Sequence, residues 1–321
     1  MHIGNVLEKN RGPTADDRAS LADALEALDS IVLGKKPQLR LALACLIARG
    51  HLLIEDLPGV GKTTLAHALA RVLGLSYQRI QFTSDMLPAD IVGVSIYRPE
   101  DGRFDFHPGP VFAQLVLADE VNRATPKAQS ALLEAMQEGQ VTVDGSSHAL
   151  PEPFFVVATQ NPGDQIGTFP LPESQLDRFL MRIELGYPGE AEERRLIAGR
   201  DTRIALDGLA AALDAATVLR LQHAVDEIHV AEPLIDYVQA LVRFTRESSE
   251  FHSGLSPRGA IALSRAARAV ALVEGRDAVY PDDIQAVFTA VAAHRLSREG
   301  TAGRTSPDEI GRHVLDSVAI P

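Results

Sequence analysis

The stretch Leu-Leu-Ile-Glu-Asp-Leu-Pro-Gly-Val-Gly-Lys-Thr-Thr, residues 52–64, decides the fold of this chain. A short apolar run precedes its two glycines, and apolar residues at helical spacing follow them from Leu65 to Leu73. A strand, a glycine-rich loop and a helix in this order are typical of a phosphate-binding loop. Inward-turned backbone N–H groups and the positive end of the helix dipole both attract an anion there. We therefore expect this loop to bind a phosphorylated ligand.

The residues of this loop have distinct expected roles. Lys62 would reach the outer phosphates, and the Thr63 hydroxyl would bind Mg²⁺. The pattern G-x-x-x-x-G-K-[ST] has its first glycine at the position of Asp56, so the chain departs from the pattern there. A glycine-rich turn without a ligand is the alternative interpretation, which the strand and helix on either side disfavour. The residues expected to contact the ligand are Pro58, Gly59, Val60, Gly61, Lys62, Thr63 and Thr64.

Two further strand ends supply candidate groups for the same site. An apolar run at 115–120 ends in Asp119 and Glu120, and a similar run at 154–161 ends in Asn161. Parallel strands place their carboxyl ends at one edge of a sheet, where α/β proteins bind ligands. Asp119 is suited to hold Mg²⁺ through water, and Glu120 to polarise an attacking water. Asn161 would contact that water or the γ-phosphate, although an asparagine before proline is more often a turn residue.

Composition and charge disfavour several classes of function. The 321 residues are 45% hydrophobic and 23% charged, an ordinary balance for a soluble globular protein. The net charge of −12 argues against a nucleic-acid-binding face. The sequence shows no apolar run near the roughly 20 residues that span a bilayer and no signal peptide. Cys45 is the only cysteine, so no intrachain disulfide forms. We expect a cytoplasmic protein without membrane or nucleic-acid contacts.

The order of strand and helix patterns predicts two domains. Strands and helices alternate in the first part of the chain and predict a parallel α/β sheet, interrupted by hairpins near 95–107 and 141–148. Beyond this part helical patterns recur and no convincing strand appears. We predict a nucleotide-binding core over residues 1–188, a helix and connector over 189–216 and a smaller all-helical domain over 217–321.

Two arginines are ambiguous when each is considered alone. Arg178 would ordinarily be a solvated surface residue. Arg258 follows Ser256 and Pro257 at the start of a predicted helix, where the helix dipole disfavours a cation. A nearby bound anion would explain its position, and simple exposure to solvent explains it equally well.

Taken together, these segments resemble the MoxR family of AAA+ ATPases over about residues 18–295. The phosphate loop and the segment at 103–110 before the acidic strand are both similar to that family. The resemblance also rests on four further segments: 117–124 (Leu-Ala-Asp-Glu-Val-Asn-Arg-Ala), 158–162 (Ala-Thr-Gln-Asn-Pro), 176–179 (Leu-Asp-Arg-Phe) and 256–258 (Ser-Pro-Arg).

The resemblance implies an ATPase that works in a ring, as a homo-hexamer, with ATP and Mg²⁺ at the subunit interfaces. Arg178 would act in trans on the neighbour's γ-phosphate, Arg258 would come from the lid of its own chain, and Asn161 from the core. Glu120 would be the catalytic base. The two hairpins would face the pore or a partner. Lys35 stands where the family usually has glutamine near the adenine, a second departure beside Asp56.

The resemblance also implies a role and partners. Such a ring would remodel or mature a protein client in a chaperone-like manner, together with a separate protein that carries a von Willebrand factor A domain. Two alternatives stay open: a nucleotide-gated scaffold with incidental hydrolysis, and a nucleic-acid motor. Glu120 and Arg178 favour an enzyme over a scaffold, and the negative net charge disfavours a motor.

Overall fold

The computed structural model describes residues 14–100, 102–161, 167–198, 202–298 and 306–321, without the side chains of 202–204, 297 and 298. Some sequence-based expectations lie outside these residues. They concern the polar first 13 residues, the hairpin turn at Asp101, Pro162 of segment 158–162, residues 199–201 of the connector and residues 299–305.

Strands and helices alternate along the first part of the described chain. The strands are β1 (Leu52–Glu55), β2 (Tyr77–Gln81), β3 (Gly93–Arg98), β4 (Arg103–Pro108), β5 (Leu115–Asp119), β6 (Gln140–Val143), β7 (Ser146–Ala149), β8 (Phe155–Gln160), β9 (Met181–Ile183), β10 (Phe251–Ser253) and β11 (Ser297–Arg298). The α-helices are α1 (Ala15–Ile31), α2 (Lys36–Ile47), α3 (Lys62–Val72), α4 (Pro88–Val92), α5 (Pro126–Glu138), α6 (Glu173–Leu176), α7 (Glu190–Ile197), α8 (Thr202–Asp207), α9 (Ala215–Glu227), α10 (Glu232–Glu247), α11 (Pro257–Val273), α12 (Pro281–Ala292) and α13 (Pro307–Ser317).

A five-stranded parallel sheet in the order β2-β5-β8-β1-β9 lies at the centre. Successive residues of each strand face opposite sides, and both sides are covered. Leu53, Val116 and Val156 face the apolar cluster that contains the residues of α5. Leu52 and Leu117 face the larger cluster, which contains residues of α1, α2 and α3. The predicted α/β class is therefore confirmed.

The local sequence explains where the key helices begin. Thr125 caps α5 by accepting a hydrogen bond from the N–H of Ala128, and Pro126 occupies the first turn, where no N–H is needed. Gly139 ends the helix with a φ of 62°, a left-handed conformation that glycine adopts at low cost. Gly61 precedes α3 with a φ of 99°. The sequence signals for these helices are thus satisfied in the structure.

Helices α9–α13, the C-terminal helices, pack directly against the sheet's helical layer. Helix α11 lies along α2, and one continuous apolar cluster joins Leu21 and Leu43 to Leu263 and Val314. Two details differ from the sequence-based expectation. The connector contains the short helix α8, and β10 pairs with β11 as a small antiparallel sheet. Neither segment is long enough to carry a clear periodic pattern.

Two hairpins project from the core and contact each other. The β3–β4 pair and the β6–β7 pair are both antiparallel, and the rings of Phe106 and His148 stack with centroids 3.8 Å apart. Tyr97 and Phe104 form an exposed aromatic pair farther along the first hairpin, 5.3 Å between centroids. Within the described residues no helix combines the length and apolarity needed to cross a bilayer.

His294 is buried and His51 is partly buried, and both lie near the amino ends of the strands. Nδ1 of His51 accepts the N–H of Val156 at 3.1 Å, and Nε2 lies 3.0 Å from the carbonyl of Met136. Burial lowers the pKa of His51 to about 4. Nε2 of His294 lies 3.2 Å from the carbonyl of Phe179, and burial holds its pKa well below the ordinary value. Both rings are therefore neutral in the folded protein near neutral pH.

We expect the free energy of unfolding to fall as the pH drops from 6.5 towards 4. In this window the unfolded chain takes up protons that His51 and His294 cannot take up while folded. For His51 alone, a pKa of 6.5 unfolded and about 4 folded corresponds to about 3 kcal/mol. Urea unfolding at several pH values measures the effect.

A comparison of variants tests whether His51 causes this decline in the free energy of unfolding with falling pH. His51→Gln should lower stability at neutral pH but flatten the decline between pH 6.5 and 4, whereas Gln78→Asn, at an exposed and uncharged site on β2, should leave the slope unchanged. An equally steep decline in His51→Gln would contradict the assignment.

Candidate active site

The phosphate loop has the open, glycine-dependent form that the sequence predicts. Gly59 and Gly61 have φ values of 85° and 99°, in the left-handed region where a side chain is strained. Apart from the adjoining residues of the loop and helix, no heavy atom lies within 4 Å of the Cβ position of either glycine. Residues 57–59 are exposed. The loop therefore presents free space in which phosphate groups fit.

Lys62 lies at the base of this space. Its Nζ donates to the side-chain oxygen of Asn161 at 2.6 Å, to the carbonyl of Leu57 at 3.1 Å and to the carbonyl of Asp56. Burial lowers the pKa of Lys62, while the charges of Asp56, Asp119 and Glu120 act in the opposite direction. The ammonium group of Lys62 thus lies near three carboxylates and Asn161. These groups come from the ends of three different strands, as the sequence predicts.

Asp119 lies at the end of β5, with both carboxylate oxygens hydrogen-bonded. The hydroxyl of Thr159 donates to Oδ1 at 2.5 Å, and Arg79 donates to Oδ2 from Nη2 at 2.7 Å and from Nε at 3.2 Å. The same hydroxyl accepts the N–H of Glu120 at 2.9 Å. Thr159 is fully buried, so this one oxygen fixes both acidic residues.

Glu120 lies in a left-handed backbone conformation, with a φ of 57°. Its Oε2 accepts from Gln81 at 2.9 Å and from Arg123 at 3.0 Å, and its Oε1 accepts from the Asn161 amide at 3.4 Å. A non-glycine residue in this conformation is uncommon and is often found at functional sites. Asn161 therefore contacts both Lys62 and Glu120.

Sequence reasoning gave no role to Arg79, Gln81 or Thr159. Arg79 and Gln81 lie on β2, which pairs in register with β5 so that Gln81 is opposite Asp119. Their polar side chains at the end of an edge strand were the available signal. The pairing of β2 with β5 could not be predicted, because the order of strands in a sheet cannot be read from the sequence. Thr63 lies exposed in the first turn of α3, where its hydroxyl is accessible.

Arg178 and Arg258 lie together but away from Lys62. They share a cavity of about 320 Å³ with Gly50 and His51, which precede β1, whereas the phosphate loop follows β1. A strand of four residues spans about 13 Å, so the two groups lie at opposite ends of it. In this structure Arg258 therefore does not lie beside Lys62 of its own chain, and its expected role at the phosphate site stays a prediction.

The packing of the C-terminal helices explains this position. Arg295 donates to the carbonyls of Phe179 and Leu180 and to the carboxylate of Asp177, at 2.7, 3.2 and 2.6 Å. These contacts fasten the end of α12 to the segment before β9. Burial lowers the pKa of Arg295, and the charge of Arg258 adds to this effect. Arg258 itself is exposed, and Arg178 donates to the carbonyl of Leu133 at 2.7 Å.

The carboxylate of Asp56 points away from the phosphate space. Its Oδ2 accepts the N–H groups of Leu185 and Gly186, both at 2.6 Å, and its Oδ1 accepts the N–H of Leu57 at 2.7 Å. The departure from the glycine pattern therefore leaves the loop open. Lys35, the second departure, donates from Nζ to the carbonyl of Tyr187 at 2.7 Å.

Comparisons with known proteins identify the class to which this chain belongs. The model of the ATPase family associated with various cellular activities (AAA) matches residues 51–181, and the AAA lid domain matches residues 243–314. A solved structure from Cytophaga hutchinsonii, named a "putative ATPase", is 36% identical and superposes with a TM-score of 0.86, covering 100% of this chain and 99% of that one. The fold and the site thus define an AAA+ ATPase.

Similar proteins show to which family of AAA+ ATPases the chain belongs. Uncharacterized protein YeaC of Bacillus subtilis is 43% identical over 303 residues, 94% of this chain and 95% of that protein. Chaperone MoxR1 of Mycobacterium tuberculosis is 40% identical over 313 residues, 94% of this chain and 82% of that protein. The chain belongs to the MoxR family of AAA+ ATPases, and the resemblance found in the sequence is confirmed.

We expect Thr159→Val to lower the free energy of unfolding by about 1–3 kcal/mol, because a buried carboxylate oxygen and a buried N–H lose their shared partner. Thr159→Ser keeps the hydroxyl and should recover most of the loss. Chemical denaturation measures both variants. If Val and Ser variants are equally stable, the hydroxyl does not have the bridging role that its two contacts indicate.

Proposed function

We propose that this chain is a Mg-ATP-dependent hydrolase whose active site is completed by a neighbouring subunit. One observation carries the proposal: Lys62, Glu120 and Asn161 meet at the carboxyl end of β1, while Arg178 and Arg258 meet at its amino end. The arginines of the phosphate site itself, Arg79 and Arg123, are bound to Asp119 and Glu120, while Arg178 and Arg258 lie at the other end of β1. A head-to-tail contact between copies would join the two ends.

The residues at the phosphate site support in-line hydrolysis. Lys62 would exchange its contacts with loop carbonyls for phosphate oxygens. Glu120 would accept a proton from water, and Asn161, bonded to both groups, would orient that water. Thr159 would hold the Asp119 carboxylate and the Glu120 backbone in place during this step.

The donor set fits a magnesium ion that is bound mainly through a nucleotide. No group of three or more acidic, histidine or cysteine side chains in the described residues forms a metal site by itself. Mg²⁺ commonly uses one or two protein ligands together with phosphates and water. Thr63 and Asp119 would hold it, and it would neutralise charge on the outer phosphates. Water between Asp119 and the metal would leave the contacts of Arg79 and Thr159 intact.

Repeated head-to-tail contacts close into a ring when the rotation between subunits allows it. We propose a homo-hexamer, in which residues 1–188 supply the nucleotide site and residues 217–321 the lid that carries Arg258. Both arginines would then act in trans. This differs from the assignment of Arg258 to its own chain's site, because the two arginines share one cavity.

A chaperone-like role is the biological part of the proposal. One relative is named a chaperone, and the exposed Tyr97–Phe104 pair offers an apolar surface of a kind that protein partners bind. A protein client and a separate protein with a von Willebrand factor A domain are the proposed partners, in the cytoplasm. The chain's net charge of −12 offers no support for nucleic-acid binding.

The assignment of the base is tested with Glu120→Gln. We expect turnover to fall by about 100-fold or more, because the variant lacks the proton acceptor. Nucleotide binding should persist, since Lys62 and the loop are unchanged. Glu232→Gln, an exposed acidic residue in the first turn of α10, is the matched control. The measurement is the steady-state rate of phosphate release. A Glu120→Gln rate equal to that of the wild type would contradict the assignment of Glu120 as the base.

Mixed rings test whether each arginine acts in trans. Random mixing of Lys62→Ala with Arg258→Ala subunits should restore about one interface in four, because an intact loop then meets an intact arginine. Mixing Lys62→Ala with Arg178→Ala should give the same result. ATPase activity of each mixture is compared with the sum of its separate components.

A third mixture distinguishes the two positions of Arg258. Arg178→Ala mixed with Arg258→Ala should restore nothing if both arginines come from one neighbour, since every interface lacks one of them. Recovery in this mixture would show that Arg258 serves the site of its own chain, against the proposal.

A further inference from the structure

Asp56 connects the phosphate loop to a distant part of the chain. Its own N–H donates to the carbonyl of Gln160 at 3.1 Å, and its carbonyl accepts from Lys62. Its carboxylate accepts from Leu57 within the loop and from Leu185 and Gly186 beyond β9. The side chain is buried, 8% exposed. One residue therefore contacts the loop, the strand that leads to Asn161 and the segment after β9.

The segment after β9, residues 184–189, enters the C-terminal part of the chain, and its backbone is bound on both sides. Asp56 accepts two of its N–H groups, and Lys35 donates to the next carbonyl, that of Tyr187. Gly186 has a φ of 66°, which a side chain would strain. The backbone of three consecutive residues is thus hydrogen-bonded by two charged side chains, and charged hydrogen bonds are the stronger kind.

The start of helix α7 packs against the turn before α2. A Cβ added to Gly34 would lie 2.9 Å from Cγ of Glu192, so the turn before α2 packs closely on α7. The turn also carries Lys35. Segment 184–189 therefore lies between the phosphate loop and the turn before α2, the two elements expected to flank a bound nucleotide.

We propose that Asp56 is a positioning residue that fastens the phosphate loop to segment 184–189, so that nucleotide binding alters the backbone hydrogen bonds of this segment. The inference rests on the proposed nucleotide site. Phosphates that draw Lys62 off the Asp56 carbonyl act on the same residue whose carboxylate holds Leu185 and Gly186. The pattern of phosphate loops predicts the opposite of this role, since it would place a glycine, with no carboxylate, at position 56.

Asp56→Gly tests whether the carboxylate at position 56 has a role or is only a departure from the glycine pattern, because this variant restores the glycine of the pattern. Hydrogen–deuterium exchange of the peptide covering residues 183–188 should become at least about tenfold faster without nucleotide, since the N–H groups of Leu185 and Gly186 lose their acceptor. In the wild type, ADP should change exchange in this peptide; in Asp56→Gly it should not. The dissociation constant for ADP, from calorimetry, should rise about tenfold, a loss comparable to one or two hydrogen bonds.

Steady-state kinetics adds a readout that a merely structural role would not move. The KM for ATP should rise about tenfold in Asp56→Gly with kcat within about threefold of wild type, because Lys62 and Glu120 remain in place. Asp56→Asn keeps the size of the side chain and one of its two carbonyl-type acceptors, so its exchange and its KM should lie between wild type and Asp56→Gly. It also serves if the glycine variant folds poorly.

Glu184→Gln is the matched control, since it removes a neighbouring carboxylate that does not hold the N–H groups of Leu185 or Gly186. Its exchange in peptide 183–188 should equal that of the wild type. Unchanged exchange in Asp56→Gly, or ADP binding as tight as in the wild type, would overturn the role of Asp56. A wild-type protein that binds ADP but does not hydrolyse ATP would refute the proposed function alone and leave the exchange experiment decisive for Asp56.

Discussion

The pairing of β1 with β8 on one side and β9 on the other is the constraint on which the site depends. It places the phosphate loop beside Asn161 and brings the segment after β9 to the loop's first residue. All these strands run parallel, so their polar ends meet at one edge, while their apolar bodies are buried on both sides. The same pairing leaves the amino ends of the strands for Arg178 and Arg258. The separation of phosphate site and arginines therefore follows from the direction of the strands.

Much of the core could be predicted because its signals are local. The glycines of the phosphate loop, the caps of α5 and the apolar runs ending in Asp119 and Asn161 each express a preference of a few neighbouring residues. Parallel strand direction then brings the ends together. The sequence also predicted Lys62 as the phosphate-binding cation, and the structure places it between Asn161 and the loop carbonyls. Its catalytic use stays a prediction.

The remaining features depend on contacts between segments far apart in the chain. Arg79 binds Asp119 only because β2 is the neighbour of β5, and nothing within β2 encodes that order. Asp56 departs from the glycine pattern of phosphate loops, and that pattern describes only neighbouring residues. The N–H groups of Leu185 and Gly186 that bind its carboxylate lie about 130 residues later. The family resemblance assigned Arg258 to its own chain's site, and the packing of α11 on α2, which fixes its position here, leaves no short-range signal in the sequence.

The continuous apolar cluster between α11 and α2 has a mechanical consequence. Leu43 and Leu263 are completely shielded from water, and exposing a leucine costs about 1.5–3 kcal/mol. Prising the C-terminal helices off the sheet's helical layer would expose many such side chains at once. The chain is therefore stiff across this boundary, and in the proposed ring the most easily deformed contacts would be those between copies. In that ring, the free energy of ATP hydrolysis would tilt whole copies of the chain against their neighbours. It would not bend the C-terminal helices away from the sheet within one copy.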